Sequence, residues 1–209
     1  MKLPKELRDK TEWVLVGPMG PDLPDRFYDF SVMAVDGGAR FTGRMNAWVG
    51  DSDSFKKIPE NTLVFKLSED KDSSDLSCAL KLLDLQVNYT LHLWGLSGGR
   101  KDHELFVWGE VLAFLELHPE SKAILYGMEG NIETHFLGSG HWKFQHQGRF
   151  SLGSLRKIRV KLTGDVKYPI KTESWLPALS SWGLSNIGNG EIILENEGPA
   201  FLHYPGDKE

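Results

Sequence analysis

The chain has 209 residues, with 24 basic and 29 acidic side chains and a formal net charge of −5. That acidic balance excludes a nucleic-acid partner held by counterion release, and no apolar run approaches the roughly 18 residues of a membrane span. The start, "MKLPKELRDK", lacks the apolar core of a signal peptide. A single cysteine, Cys78, rules out an internal disulfide and points to a reducing, cytoplasmic setting. Its helical context makes it a packing residue.

Taken in chain order, the first 130 residues alternate short apolar runs with helix-length segments. "EWVLVG" (12–17), "SVMAVDGG" (31–38), "NAWVGD" (46–51), "TLVFKL" (62–67), "TLHLWG" (90–95) and "KAILYG" (122–127) read as buried strands. Between them, Leu76, Ala79, Leu80 and Leu83 fall on one face of a helix expected over 73–85, with Ser73 or Ser74 as its cap. Leu105, Trp108, Leu112 and Leu115 make a similar stripe for a helix over 102–117. This alternation predicts an α/β unit, a mainly parallel sheet flanked by helices with both faces covered.

Beyond about residue 130 the periodicity changes. "NIETHFLG", "HWKFQHQG", "FSLGSL", "KIRVKLTG", "GEIILENEG" and "PAFLHY" are short, β-rich and punctuated by Gly, Asn, Pro and Ser. That spacing predicts a smaller all-β, sandwich-like C-terminal domain. The boundary falls in the Gly127–Gly130 stretch, dividing the chain into 1–129 and 130–209.

Ligands of an open parallel sheet bind beyond the carboxyl ends of its strands. There, four successive loops are acidic: "DGGAR" from Asp36, "GDSDSF" from Gly50, "SEDKDSSD" from Ser68 and "GLSGGRKDHE" from Gly95. Each has an ordinary reading, as a turn, a solvated loop, a helix N-terminus favouring acids or, for His103, a capping residue. Together, Asp36, Asp51, Asp53, Asp75 and Asp102 on one edge repel one another and imply bound cations. Oxygen-only ligands favour Mg²⁺, and Lys71 and Arg100 among the acids suit a polyphosphate. No GxxxxGK[ST] motif is present, which excludes a P-loop.

The motifs "DGGA", "GDxDS", "KDxxD…AL" and "GGRxDH", in this order, resemble thiamine pyrophosphokinase. That family reads roughly DGGAN, GDFDS, KDxTDxxxAL and GGRxDHxLAN. "FSLGSL", "GDVKYPI", "LSN" and "EGPAFL" echo its C-terminal half, so the likeness spans about residues 13–203. The resemblance implies Mg²⁺-dependent transfer of a pyrophosphoryl group from ATP to thiamine, releasing AMP. It further implies a homodimer whose active sites lie between the α/β domain of one chain and the β domain of the other. Residues 1–129 would then bind ATP and carry catalysis, and 130–209 would bind thiamine and dimerise. Asp36, Asp51, Asp53 and Asp75 would hold the metal, while Gly37, Gly38, Lys71, Ser74, Arg100 and His103 would meet the phosphates. Arg100 would neutralise developing charge, with Asp102 orienting it or a metal-bound water. Trp182, Ser185, Asn186 and Asp75 would receive thiamine, with Phe201 as the second candidate for stacking.

The chain departs from the family pattern at Arg40 for Asn, Ser52 for the aromatic of GDFDS, and Val107 near the Asn after DH. These departures leave room for a nucleotide- or thiamine-binding dimer without catalysis. The same carboxylates would also serve a metal-dependent phosphoesterase with water as acceptor.

Overall fold

The computed structural model describes residues 2–51, 58–68 and 70–205. Six strands, β1 (Glu12–Val16), β2 (Ser31–Val35), β3 (Ala47–Gly50), β4 (Leu63–Lys66), β5 (Thr90–Trp94) and β6 (Lys122–Tyr126), are the apolar runs read from the sequence. They lie in the order β4-β3-β2-β1-β5-β6, all parallel. Every residue of β2 and β3 is buried, which is why these strands read as continuous apolar runs without alternation. The chain runs outward from β1 to β4, then returns to place β5 on the other side of β1. The loops after β1, β2 and β5 therefore meet at a reversal of strand order, where an open sheet forms its ligand crevice.

One face of this sheet is covered by helices. Helix α1 (Lys5–Arg8) brings Leu7 to it, α2 (Asp75–Leu80) buries Leu76, Ala79 and Leu80, and α3 (Lys101–Leu117) buries Val111, Leu112, Phe114 and Leu115. These pack on Trp13, Leu15, Met33, Val49, Leu91 and Leu93. Two details differ from the sequence reading. Helix α2 ends at Leu80, with Leu82 and Leu83 continuing the buried side in a turn. Leu105 does not join the stripe of α3: it is exposed, and half-buried Trp108 takes the contact instead, edge-to-face with Phe136 and Phe201 at 5.0 and 4.9 Å.

The opposite face is covered without α-helices among the described residues. Leu23, Phe27, Ala39 and Met45, from two 3₁₀ turns (Asp25–Phe27 and Asp36–Phe41) and their flanks, pack on Val14, Val16, Ala34, Trp48 and Trp94. Periodicity found the helical layer because α-helices repeat along the sequence; short 3₁₀ turns carry no such repeat.

From β7 (Ile132–Leu137) onward every pairing is antiparallel. Strands β8 (Gly140–Gly153), β9 (Ile158–Val166), β10 (Ile170–Leu176), β11 (Asn186–Asn196) and β12 (Ala200–His203) complete a 12-stranded order, β10-β9-β11-β8-β12-β7-β6-β5-β1-β2-β3-β4. Residues 127–131, where the sequence places its boundary, form the tight turn between the paired strands β6 and β7, so hydrogen bonding crosses it. The inward sides of β7 to β12 share a second core of Leu137, Phe150, Leu152, Val160, Leu162, Ile192, Leu194 and Leu202. Strands expected separately over 141–148 and 150–155 are the single strand β8, since Gly148 stays in the ladder opposite Gly188. Strand β10 was not anticipated. It is a polar edge strand whose "IKTESWL" lacks alternation.

A buried histidine links the sheet to the 3₁₀ layer. His92 on β5 shares a hydrogen bond with the Tyr126 hydroxyl at 2.9 Å and stacks on Phe30 at 5.0 Å. Burial, reinforced by the charges of Lys122 and Arg26, pushes its pKa down to about 4. His135 is depressed to about 4 chiefly by burial as well. The unfolded chain therefore binds these protons more readily than the folded one, and stability falls as pH drops from about 6.5 toward 4. We expect the denaturant midpoint to decline between pH 7 and pH 5, and the decline to be shallower in His92→Phe. An identical pH slope in that variant would remove His92 from the account.

Candidate active site

Asp36 follows β2 directly, at the start of the 3₁₀ turn Asp36–Phe41, with φ of 50°. This left-handed conformation is uncommon for a side chain with a Cβ, though aspartate tolerates it better than most. Its carbonyl accepts from the Trp48 indole at 3.0 Å, which fixes the turn against β3. Its Oδ1 is buried and has no hydrogen-bond partner among the described residues. A carboxylate oxygen in that state carries a desolvation cost that a bound cation or donor would offset.

Asp51 follows β3, and Lys71 lies in the loop after β4. The Lys71 ammonium sits 3.5 Å from Asp51 Oδ2 and 3.0 Å from Asp75 Oδ1. The hydrogen bond to Asp75, together with the charges of Asp75 and Asp51, raises the Lys71 pKa above its usual value against the opposing effect of burial. Asp75 opens α2, whose cap is Ser74: the Ser74 hydroxyl accepts from the Ser77 amide at 3.0 Å and donates to Glu110 Oε1 at 3.3 Å. Ser74 thus fastens α2 to α3.

Asp36, Lys71, Ser74 and Asp75 line one cleft of about 580 Å³, together with Pro18, Leu96, His103, Phe106, Val107 and Glu110. Asp51 joins through Lys71. Asp53 and Ser52 fall outside the described residues. Among the described residues no three acidic or histidine side chains are grouped closely enough to hold a metal ion. The donor chemistry nonetheless suits a hard cation: carboxylates from three loops, one with a buried, unpartnered oxygen.

The two glycines after Asp36 have different surroundings. A Cβ on Gly38 would stand 1.9 Å from the Val16 carbonyl oxygen, so glycine is required there by contact with β1. A Cβ on Gly37 would meet only Pro18, at 3.4 Å, on the cleft side.

Arg100 and Asp102 are placed apart from this lining. Arg100 precedes α3 and is paired with Asp102 through two hydrogen bonds, both side chains being largely exposed. That pairing holds the Asp102 carboxyl down at about 2 and raises the Arg100 pKa. Asp102 Oδ1 also accepts from the His103 amide at 3.0 Å, which steadies the first turn of α3.

The expected thiamine residues occupy the β-rich part. Trp182, 52% exposed, lines a smaller cavity of about 250 Å³ with Tyr168, Ile170, Leu184 and Asn186. The two cavities share no lining residue within one chain. Both functional groups of the Asn186 amide are used on Tyr168, accepting from its amide at 3.0 Å and donating to its carbonyl at 2.8 Å. Ser185, exposed and with φ of 56°, donates its amide to the Ser151 hydroxyl at 3.2 Å. Phe201 is 8% exposed, in contact with Trp108, and belongs to the core.

Sequence reasoning did not single out Pro18, Phe106 or Glu110 as site residues. A signal for two of them existed: His103, Phe106, Val107 and Glu110 fall at i, i+3, i+4 and i+7, one face of α3. The loop carrying Pro18 had none, since "GPMG" contains no chemistry-bearing side chain.

The architecture is that of a mixed α/β protein with one large sheet and few helices, its acidic cleft at the carboxyl edge of the parallel strands. No protein-family model matches the sequence, and no curated protein matches it significantly. Solved structures do match. Thiamine pyrophosphokinase from Bacillus subtilis is 20% identical, over 92% of this chain and 97% of that one, with a TM-score of 0.67. The enzyme from Geobacillus thermodenitrificans is 21% identical, over 94% and 99%, with a TM-score of 0.68. The Candida albicans enzyme is 12% identical, over 94% and 89%, with a TM-score of 0.65. The chain therefore shares the fold of thiamine pyrophosphokinases over nearly its whole length.

If Lys71 is the internal counter-ion of Asp51 and Asp75, it competes with any added cation for the same oxygens. Lys71→Met is expected to strengthen binding of Mg²⁺ alone and to weaken binding of Mg²⁺–tripolyphosphate, both read by calorimetry. Weakening of both would show instead that Lys71 is needed to hold the loop.

Proposed function

We propose that this chain is a Mg²⁺-dependent thiamine pyrophosphokinase, converting ATP and thiamine to AMP and thiamine diphosphate. The observation that supports it best is the meeting of Asp36, Asp51, Lys71, Asp75 and His103 at the carboxyl edge of the parallel strands. In the reaction the thiamine hydroxyl oxygen bonds to the β-phosphorus of ATP. The bond from that phosphorus to the α,β-bridging oxygen breaks, that oxygen departs on AMP, and the hydroxyl proton passes to solvent. Such transfer depends on positioning and charge neutralisation more than on covalent catalysis. Asp36, Asp51 and Asp75, with Asp53, would hold Mg²⁺, which supplies charge neutralisation at the phosphates. Lys71 and His103, with the Gly37 backbone, would contact the polyphosphate from the cleft walls. Arg100, held by Asp102 at the start of α3, would neutralise charge developing toward the exposed side.

Thiamine presents a flat aminopyrimidine and a cationic thiazolium, which suit an aromatic face. In this reading Trp182 provides it, with Ser185 and Asn186 shaping the rim, and a second copy of the chain brings that rim to the acidic cleft. The enzyme would work in the cytoplasm.

Mass spectrometry of the protein incubated with ATP, thiamine and Mg²⁺ is the direct test: AMP and thiamine diphosphate should appear together. Folded protein that forms neither is not this enzyme, and ATP hydrolysis independent of thiamine would indicate a phosphoesterase. Asp75→Asn should lower turnover by orders of magnitude with little change in thermal midpoint.

A site shared between copies gives a further expectation. Asp75→Asn and Trp182→Ala, each impaired alone, should recover about a quarter of wild-type activity when mixed and allowed to exchange, because half the dimers pair one intact cleft with one intact rim. No recovery on mixing, with exchange verified, would place all site residues within one chain.

A further inference from the structure

The acidic cleft has a second wall that the phosphate chemistry leaves unexplained. Phe106 is 66% exposed, yet it lies on the cleft-facing side of α3, one turn beyond His103. The core-facing side of the helix is made by Val111, Leu112, Phe114 and Leu115, so the fold does not use the Phe106 ring. Single exposed apolar residues are ordinary. Phe106, however, lines the cleft together with Pro18, Val35, Leu96 and Val107, which give an otherwise polar cleft an apolar part to its lining. The rest of the lining includes Asp36, Lys71, Asp72, Ser73 and Asp75.

We propose that Phe106 is the stacking platform for the nucleobase of the phosphate donor, which makes it a binding residue for the nucleoside end of ATP. The inference rests on the reading that this cleft takes a nucleoside triphosphate. A ligand whose charged tail lies among the carboxylates and Lys71 and whose flat, neutral ring lies on an apolar wall has the two-sided character of a nucleotide. The size agrees. At about 580 Å³ the cleft lies within the range of sites for ligands of this kind, whereas the Trp182 cavity, at about 250 Å³, falls below it. The apolar wall offers a π-face without hydrogen-bonding groups on Phe106, Val107 or Leu96, so stacking rather than edge recognition would hold the ring.

The test compares two probes on the full chain, Mg²⁺–ATP and Mg²⁺–tripolyphosphate, which share the charged tail and differ in the base. In Phe106→Ala the dissociation constant for ATP should rise by roughly 5- to 150-fold, the range spanned by one base on one aromatic ring, while that for tripolyphosphate stays unchanged. Phe106→Trp should bind ATP at least as tightly as wild type. Because the ring is exposed, the thermal midpoints should agree, and they serve as the check on folding. Equal losses for both probes, or no loss for either, would overturn the proposal. Selective loss of thiamine binding in Phe106→Ala, with ATP unaffected, would overturn it too and assign the ring to the acceptor. Wild-type protein that binds neither ATP nor tripolyphosphate would defeat this inference and the proposed activity together. Selective loss of ATP in a protein that forms no thiamine diphosphate would uphold the platform and reject only that activity.

Discussion

Backbone meets backbone where β1 and β5 end, and the cleft depends on that contact. The Gly17 amide donates to the Trp94 carbonyl at 2.7 Å and the Met19 amide to the Gly95 carbonyl at 3.0 Å. A Cβ on Gly17 would lie 2.5 Å from the Gly95 oxygen, and one on Gly20 would lie 2.8 Å from the Gly95 Cα. Gly38 approaches Val16 still more closely, so the loops after β1, β2 and β5 meet backbone to backbone at these glycines, with the Leu96 side chain packed against Gly17. Their residues then line the cleft together: Pro18 and Leu96, with Asp36 and its buried oxygen. A single methyl group at Gly38 would have to move β1 itself, which is among the most deeply buried strands of the sheet.

Around that junction, polar contacts hold the surrounding pieces in register. The Ser74 hydroxyl joins the start of α2 to Glu110 in the middle of α3. Ser97, 5% exposed, donates its hydroxyl between two carboxylates, 3.2 Å from Glu104 Oε1 and 2.8 Å from Glu133 Oε2, which ties the glycine-rich loop to α3 and to β7. Lys71 spans Asp51 and Asp75 and so connects the loops after β3 and β4. Carboxylates this close repel unless a cation lies among them, and in this structure the ammonium of Lys71 fills that role for two of them.

Much of this was legible in the sequence, for reasons specific to each part. Buried parallel strands are continuous apolar runs, so β1 to β6 could be read directly, and the acidic loops were recognisable because like charges rarely gather without cause. Three of the hidden features have distinct physical reasons. The 3₁₀ layer under Phe27 and Ala39 has no period to detect. The Gly148 position looked like a turn but pairs across to Gly188 within one long strand. Side-chain direction was the third: Arg100 and Asp102 sit in the same motif as His103, yet they pair with each other in solvent while His103 faces the cleft. Neighbours in a helix point about 100° apart, so a motif written as consecutive letters spreads its residues over different surfaces.

The same geometry separates the two cavities. Asn186 spends its amide on the Tyr168 backbone, which holds the segment from Tyr168 to Ile170 in the lining of the small cavity together with Trp182 and Leu184. Tyr168, Trp182 and Leu184 are 56%, 52% and 59% exposed, an apolar rim larger than its own shallow cavity requires. Exposed apolar area gathered in one place, on backbone already fixed by part-buried hydrogen bonds, is what a partner surface or a flat ligand covers at small entropic cost. The acidic cleft has the complementary lack: carboxylates, a cation and one apolar wall, but no second aromatic face. The two linings share no residue in one chain, and only under the proposed activity would a second copy bring the one to the other.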